Sequence, residues 1–167
     1  MPRASAELGP ERQQKRGGGW ASSTVSNNMT AEKILVVEDN KVVQKSISGI
    51  LTAAGYQVLT AEDRSTALKL IRTEQPRLIT LDIDLDPSDR DSWDGFTIAT
   101  WLKQLNHPAV IVVVSVSKPG PLADKIKAGR IFAFLEKPVQ KEALLEVVAR
   151  GLSQRASEET PAEPATT

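Results

Sequence analysis

Apolar residues along the middle of the chain fall into short unbroken runs, and the segments between them show a helical rhythm. Runs such as Ile34-Leu35-Val36-Val37, Leu78-Ile79-Thr80-Leu81 and Val110-Ile111-Val112-Val113-Val114 do not alternate polar with apolar. A short apolar run bounded by turn signals reads as a buried strand, and burial on both faces is what parallel strands require. Strands are predicted over 33–38, 56–60, 77–82, 109–115 and 131–136. The intervening segments repeat apolar residues at helical spacing. A helix over 40–54 turns Val43, Ile47, Ile50, Leu51 and Ala54 inward, one over 65–73 Ala67, Leu68 and Ile71, and one over 95–105 Ile98, Leu102 and Leu105. The last, over 140–153, carries Leu144, Val147, Val148 and Leu152.

The punctuation agrees with this division. Gly55 is placed to close the first helix, and Pro76 ends the second before the third strand begins. Pro119-Gly120-Pro121 delays the fourth helix until a proline can serve as its first residue, leaving a short helix over 121–128 ahead of Gly129. The segment 84–94, with five aspartates and Pro87 and with Gly95 directly after it, is expected to be a loop. Five strand–helix units in succession give an α/β domain over 32–153. Residues 1–31, with Gly17-Gly18-Gly19 and no apolar period, read as a disordered extension, and the polar, Pro-containing 154–167 as a disordered tail. Met29 leads through Lys33 directly into the first strand. The expectation is therefore that the native protein starts at Met29, or that residues 1–28 are dispensable.

Composition narrows the chemistry. A hydrophobic content of 40% supports a real core, and 21 basic against 21 acidic residues leaves no global field to draw the domain to nucleic acid or to an anionic membrane. Arg12, Lys15 and Arg16 read as solvated charges of the extension. Cysteine is absent, which removes disulfides, thiolate catalysis and cysteinyl metal sites together. His107 is the single histidine, so neither a histidine-based zinc site nor a Ser-His-Asp triad can be assembled. No apolar stretch has the length of a membrane span or the form of a signal-peptide core, and a cytoplasmic location is expected.

Chemistry gathers where the strands end. The third strand stops on Asp82-Ile83-Asp84, the first on Glu38-Asp39, the fourth on Ser115, and the fifth on Glu136-Lys137-Pro138. A carboxylate within a buried strand is costly unless it stands at the exit, where a cation can reach it. Open parallel sheets bind ligands beyond the carboxyl ends of their strands. Glu38, Asp39, Asp82, Ser115 and Lys137 are therefore expected to share one shallow pocket.

The ordered set Lys33 to Asn40, Leu78 to Asp82, Asp94-Gly95-Phe96, Val112 to Ser115 and Phe134 to Pro138 resembles the receiver domain of two-component response regulators, of the single-domain type. That resemblance implies a flavodoxin-like, doubly wound, five-stranded parallel sheet of order 2-1-3-4-5 with five helices. It implies that Asp82 is the phosphoacceptor, taking its phosphoryl group from a sensor histidine kinase or a histidine phosphotransfer protein. It further implies Mg²⁺ held by Asp39 and Asp82, by Glu38 through water, and by the backbone carbonyl of Asp84. Ser115 would hydrogen-bond the phosphoryl group, Lys137 would supply positive charge, and Phe134 would follow Ser115 as an aromatic switch. The fourth helix, fifth strand and last helix would form the face read by a downstream protein or by a second copy in a homodimer. Such a domain catalyses only its own phosphorylation and dephosphorylation and is otherwise no enzyme. The chain departs from the family pattern in a longer acidic loop after Asp82 with Pro87 one place late, and in the β-branched Val116 where a small residue is usual. Asp84 and Ser117 occupy positions that tune phosphoryl lifetime in similar proteins.

Other readings compete. A receiver-fold interaction module that signals without phosphorylation would have no need of all five site residues. Asp82-Ile83-Asp84 also resembles the nucleophile motif of haloacid-dehalogenase-type phosphatases, which place an acidic pair after the lysine; here only Glu142 and Glu146 follow, on a helix. Asp84, Asp86 and Ser88 hint at a calcium loop, but Asp89 stands where that loop requires glycine and Gly95 where it requires glutamate. Taken singly, Glu38 or Asp39 could cap the first helix, Ser115 end a strand, Phe134 fill the core and Lys137 lie on the surface.

Overall fold

The computed structural model describes residues 31–84, 95–116, 118–120, 123–128 and 130–159. Leu78–Asp82 (β3) is the middle strand, and every residue in it is buried. Lys33–Val37 (β1) and Gln57–Ala61 (β2) lie to one side of it, Val110–Ser115 (β4) and Ile131–Glu136 (β5) to the other. All pair in parallel, in the order β2-β1-β3-β4-β5, so the expected flavodoxin-like sheet is the one observed. The helices are Lys41–Ala53 (α1), Arg64–Glu74 (α2), Gly95–Gln104 (α3), Ala123–Ala128 (α4) and Lys141–Glu159 (α5).

Strand geometry divides the core in two. Successive side chains point to opposite faces of a sheet. Leu35, Val37, Ile79 and Leu81 therefore meet Ala67 and Ile71 of α2 and Ile98, Ala99 and Leu102 of α3. Ile34, Val36, Leu78, Val112 and Val114 meet Ile47 and Leu51 of α1 and Leu144 and Val148 of α5. Both faces are covered, which is why the inner strands β1, β3 and β4 are built mainly of aliphatic residues.

The helix ends follow local chemistry. Asn40 caps α1, its Oδ1 accepting from the N–H groups of Val42 at 2.9 Å and Val43 at 3.2 Å. Capping by Glu38 or Asp39 is therefore not observed; Asn40 does that work and leaves the acidic pair to the strand exit. At the other end Gly55 takes φ +94°. Its N–H donates to Thr52 O at 3.0 Å while Tyr56 N–H reaches Leu51 O at 3.2 Å, the paired bonds of a Schellman turn. Asp63 caps α2 through Thr66 N–H at 2.8 Å and Thr66 Oγ1 at 2.8 Å. These bonds to its charged form hold the Asp63 carboxyl below its usual range.

Three expectations are corrected. Ala54 is exposed and forms the C-cap of α1 rather than part of its inward stripe. Leu105 lies beyond the end of α3 and is 57% exposed, because the chain reverses at Asn106, whose φ is +48°. Finally, α5 runs to Glu159, past the boundary placed at 153, so 154–159 are helical and not tail. Arg155 secures that extension by donating from Nη1 to Arg77 O at 3.1 Å. The expected N-terminal extension up to residue 30, the loop over 85–94 with the calcium-loop positions Asp86, Ser88 and Asp89, the lifetime position Ser117, the helix start at 121–122 and the tail from 160 lie outside the described residues.

Candidate functional site

Register brings the strand exits together. Val37 of β1 stands beside Leu81 of β3, Asp82 beside Val114, and Ser115 beside Glu136. Residues immediately after these positions emerge at one edge of the sheet. Lys137 N–H donates to Ser115 O at 2.8 Å and Glu38 N–H to Ala61 O at 3.0 Å, so the backbone that carries each site residue is fixed by its neighbour.

The side chains converge as the strand ends promise. Lys137 Nζ donates to Asp82 Oδ2 at 2.6 Å and stands 2.8 Å from Glu38 Oε2. Asp82 and Glu38 are 3% and 1% exposed and Ser115 is fully buried, while Asp39 lies open to solvent. Glu38, Asp39 and Asp82 each offer a carboxylate oxygen, all within 4.8 Å of one another. One ammonium cannot neutralise three carboxylates at that range. Burial, reinforced by the charge of Asp82, pushes the Glu38 carboxyl up to about 7 although Lys137 pulls it back. Burial alone would lower Lys137, but its bonds to Asp82 and Glu38 outweigh burial and raise it. Glu38 Oε1 accepts from Asn40 N–H at 3.2 Å. Its Oε2 faces the Lys137 ammonium at 2.8 Å. A buried anionic oxygen that shares its one ammonium with Asp82, beside two further carboxylates, suits a small hard cation with oxygen ligands.

Two sets of side-chain contacts at the site were not anticipated. Gln44 is buried in α1 and donates from Nε2 to Glu38 O at 2.9 Å and to Ala61 O at 3.3 Å, clamping the backbone that presents the acidic pair. A polar residue between Val43 and Ile47, inside an apolar stripe, was the available signal. The carboxylate of Asp84, a residue expected to offer its carbonyl to a metal and to stand at a lifetime-tuning position, accepts at Oδ2 from Ser115 Oγ in a short contact and from Val116 N–H at 2.8 Å. Asp84 N–H donates to Asp82 Oδ1 at 2.9 Å. Phe134 is half-buried on β5 beside Val113, neither sealed in the core nor fully outside.

Among the described residues, neither the phosphatase-type acidic pair nor a histidine joins the carboxylate group. Glu142 and Glu146 are exposed on α5, where Glu146 pairs with Arg150 at 3.4 Å, apart from the carboxylate group. His107 lies ahead of β4, at the opposite end of the sheet from the exits. Its Nδ1 accepts from Ala109 N–H at 3.2 Å, and burial followed by the charge of Arg155 lowers its pKa.

A family model of the response regulator receiver domain matches residues 34–149. The chain belongs to that family. This receiver is 28% identical over 120 residues to the polar-differentiation response regulator DivK of Brucella anthropi, a match spanning 70% of this chain and 93% of the relative. Its fold is similar to that of a CheY-like response regulator receiver domain protein from Methanospirillum hungatei, with a TM-score of 0.70 at 23% identity, over 77% of this chain and 99% of the other. It is also similar to the N-terminal domain of a response regulator/sensory box/GGDEF protein from Carboxydothermus hydrogenoformans, with a TM-score of 0.68 at 25% identity, over 77% of this chain and all of that one. Receivers operate in two-component signalling, where kinases or phosphotransfer proteins are their general partners. No helix among the described residues is long and apolar enough to cross a membrane.

Proposed function

We propose that this receiver accepts a phosphoryl group on Asp82 from the phosphohistidine of a sensor histidine kinase or histidine phosphotransfer protein, and thereby switches a protein-interaction face. The observation that carries the reading is the Lys137 ammonium held 2.6 Å from Asp82 Oδ2 at the sheet's exit edge. An Asp82 oxygen attacks phosphorus, a P–O bond forms, and the P–N bond breaks with its electron pair left on the imidazole. The product is an acyl phosphate, which hydrolyses without a separate base. Phosphoryl transfer passes through a loose, charge-spread transition state and needs positioning and positive charge more than covalent chemistry. Lys137 supplies one such charge, and Ser115 a hydroxyl for a phosphoryl oxygen.

Glu38, Asp39 and Asp82, with the backbone carbonyl of Asp84, would hold Mg²⁺, which when bound supplies further positive charge to the phosphoryl oxygens. Phe134 follows Ser115 inward as the switch, and the face of α4, β5 and α5 is read by a downstream protein or by a second copy. The phosphoryl group shifts this equilibrium only through its differential contacts. Beyond its own phosphorylation and dephosphorylation the domain catalyses nothing, and it acts in the cytoplasm without binding nucleic acid or membrane.

The test is labelling with acetyl phosphate, read by intact mass. Wild type gains one phosphoryl group in Mg²⁺ and Asp82→Asn gains none. Equal labelling of the variant overturns the assignment, and the phosphorylation-independent interaction module then becomes the better account.

A further inference from the structure

The Asp84 carboxylate holds the donors that the proposed reaction needs. Its Oδ2 draws in both the Ser115 hydroxyl and the Val116 N–H, the latter at 2.8 Å. An anionic, acceptor-only oxygen on one hydroxyl and one backbone N–H at the exit of β4 has the chemistry of a phosphoryl oxygen. Each donor carries a single hydrogen and can serve one strong anion well.

We infer that Asp84 is a built-in competitor for the phosphoryl group: its carboxylate occupies Ser115 and Val116 in the unphosphorylated protein and must release them before Asp82 can be stably phosphorylated. This rests on the acceptor reading of Asp82. Asp84 is tied to the acceptor from the other side as well, through its N–H on Asp82 Oδ1 at 2.9 Å. Leaving is feasible because Asp84 is exposed, so its freed carboxylate returns to water. Ser115 is fully buried, and the incoming phosphoryl oxygen takes the place that Asp84 gives up. Release thus opposes acceptance by roughly the strength of these charge-assisted bonds.

The full-length chain is labelled with acetyl phosphate in Mg²⁺ and initial rates are read by intact mass, before hydrolysis of the product contributes. Asp84→Ala is expected to label about tenfold faster than wild type, the worth of roughly one charge-assisted hydrogen bond. Asp84→Asn gains less, because its amide oxygen still accepts but carries no charge. In a Ser115→Ala background, where the hydroxyl is already gone, replacing Asp84 gains clearly less than in wild type, the non-additivity that marks a direct pair. Thermal melts in parallel show that the variants are folded, and Asp84→Asn carries the test if Asp84→Ala is not. Equal or slower labelling of the folded Asp84 variants overturns the inference, as does a gain undiminished without Ser115, which would reflect lost charge alone. If Asp82→Asn abolishes labelling and Asp84 substitution leaves it unchanged, only the competitor falls. If Asp82→Asn labels like wild type, the acceptor reading falls with it.

Discussion

Glu38 stands under opposed influences, burial and the charge of Asp82 raising its carboxyl while Lys137 lowers it. Its carboxyl is raised from 4.5 to about 7, so its proton is bound more tightly in the folded than in the unfolded chain. Stability from this group is fully present below the unfolded value and is lost as pH rises through the folded one. Metal-free protein is therefore expected to show a lower denaturation midpoint at about pH 8 than at about pH 5, and Glu38→Gln to flatten that difference. Lys137→Ala leaves Asp82 and Glu38 buried without their counter-charge. It should lower metal-free stability by about 3 kcal/mol, measured by urea denaturation, and abolish rapid labelling. At this scale the sequence showed residue types but not rotamers. The strand exits announced Glu38, Asp82, Ser115 and Lys137, because parallel pairing leaves the ends of buried strands no other place to go. It did not reveal that Asp84 turns its carboxylate toward Ser115, since that depends on a backbone turn and not on any period.

Among the elements, those buried on both sides were legible and those that outrun the core were not. β1, β3 and β4 could be read almost to the residue because their aliphatic positions are committed to one of two apolar layers. The extension of α5 beyond 153 is polar, tied down by polar contacts such as that of Arg155 to the main chain of Arg77, and so left no hydrophobic trace. Within that helix Gly151 packs against the sheet: a Cβ there would stand 2.8 Å from Val110 Cγ1 and 3.3 Å from Phe132 Cε1. Alanine favours helix by about 1 kcal/mol but overpacking costs about 1–3. Gly151→Ala is thus expected to destabilise by about 1 kcal/mol in chemical denaturation, against the propensity rule. Asn40→Ala should cost about 1 kcal/mol as well, from the lost cap of α1.

Across the whole molecule, one parallel sheet turns distant stretches of sequence into neighbours, and its exit edge concentrates more negative than positive charge. A divalent cation that binds the folded but not the unfolded chain stabilises the fold by about 2.7 kcal/mol at a hundredfold excess over its Kd. Mg²⁺ should therefore raise the melting temperature of wild type and raise it much less for Asp39→Asn, and chelation with EDTA should suppress labelling. The long final helix has a practical corollary. It leaves the exit edge after Lys137 and descends until Arg155 reaches the start of β3, so Glu159 ends up about 16 Å or more from the acceptor, the span of a five-residue strand. A fluorophore or surface tether grafted there would leave the pocket unobstructed for an approaching donor, making that end the natural handle for immobilised binding measurements.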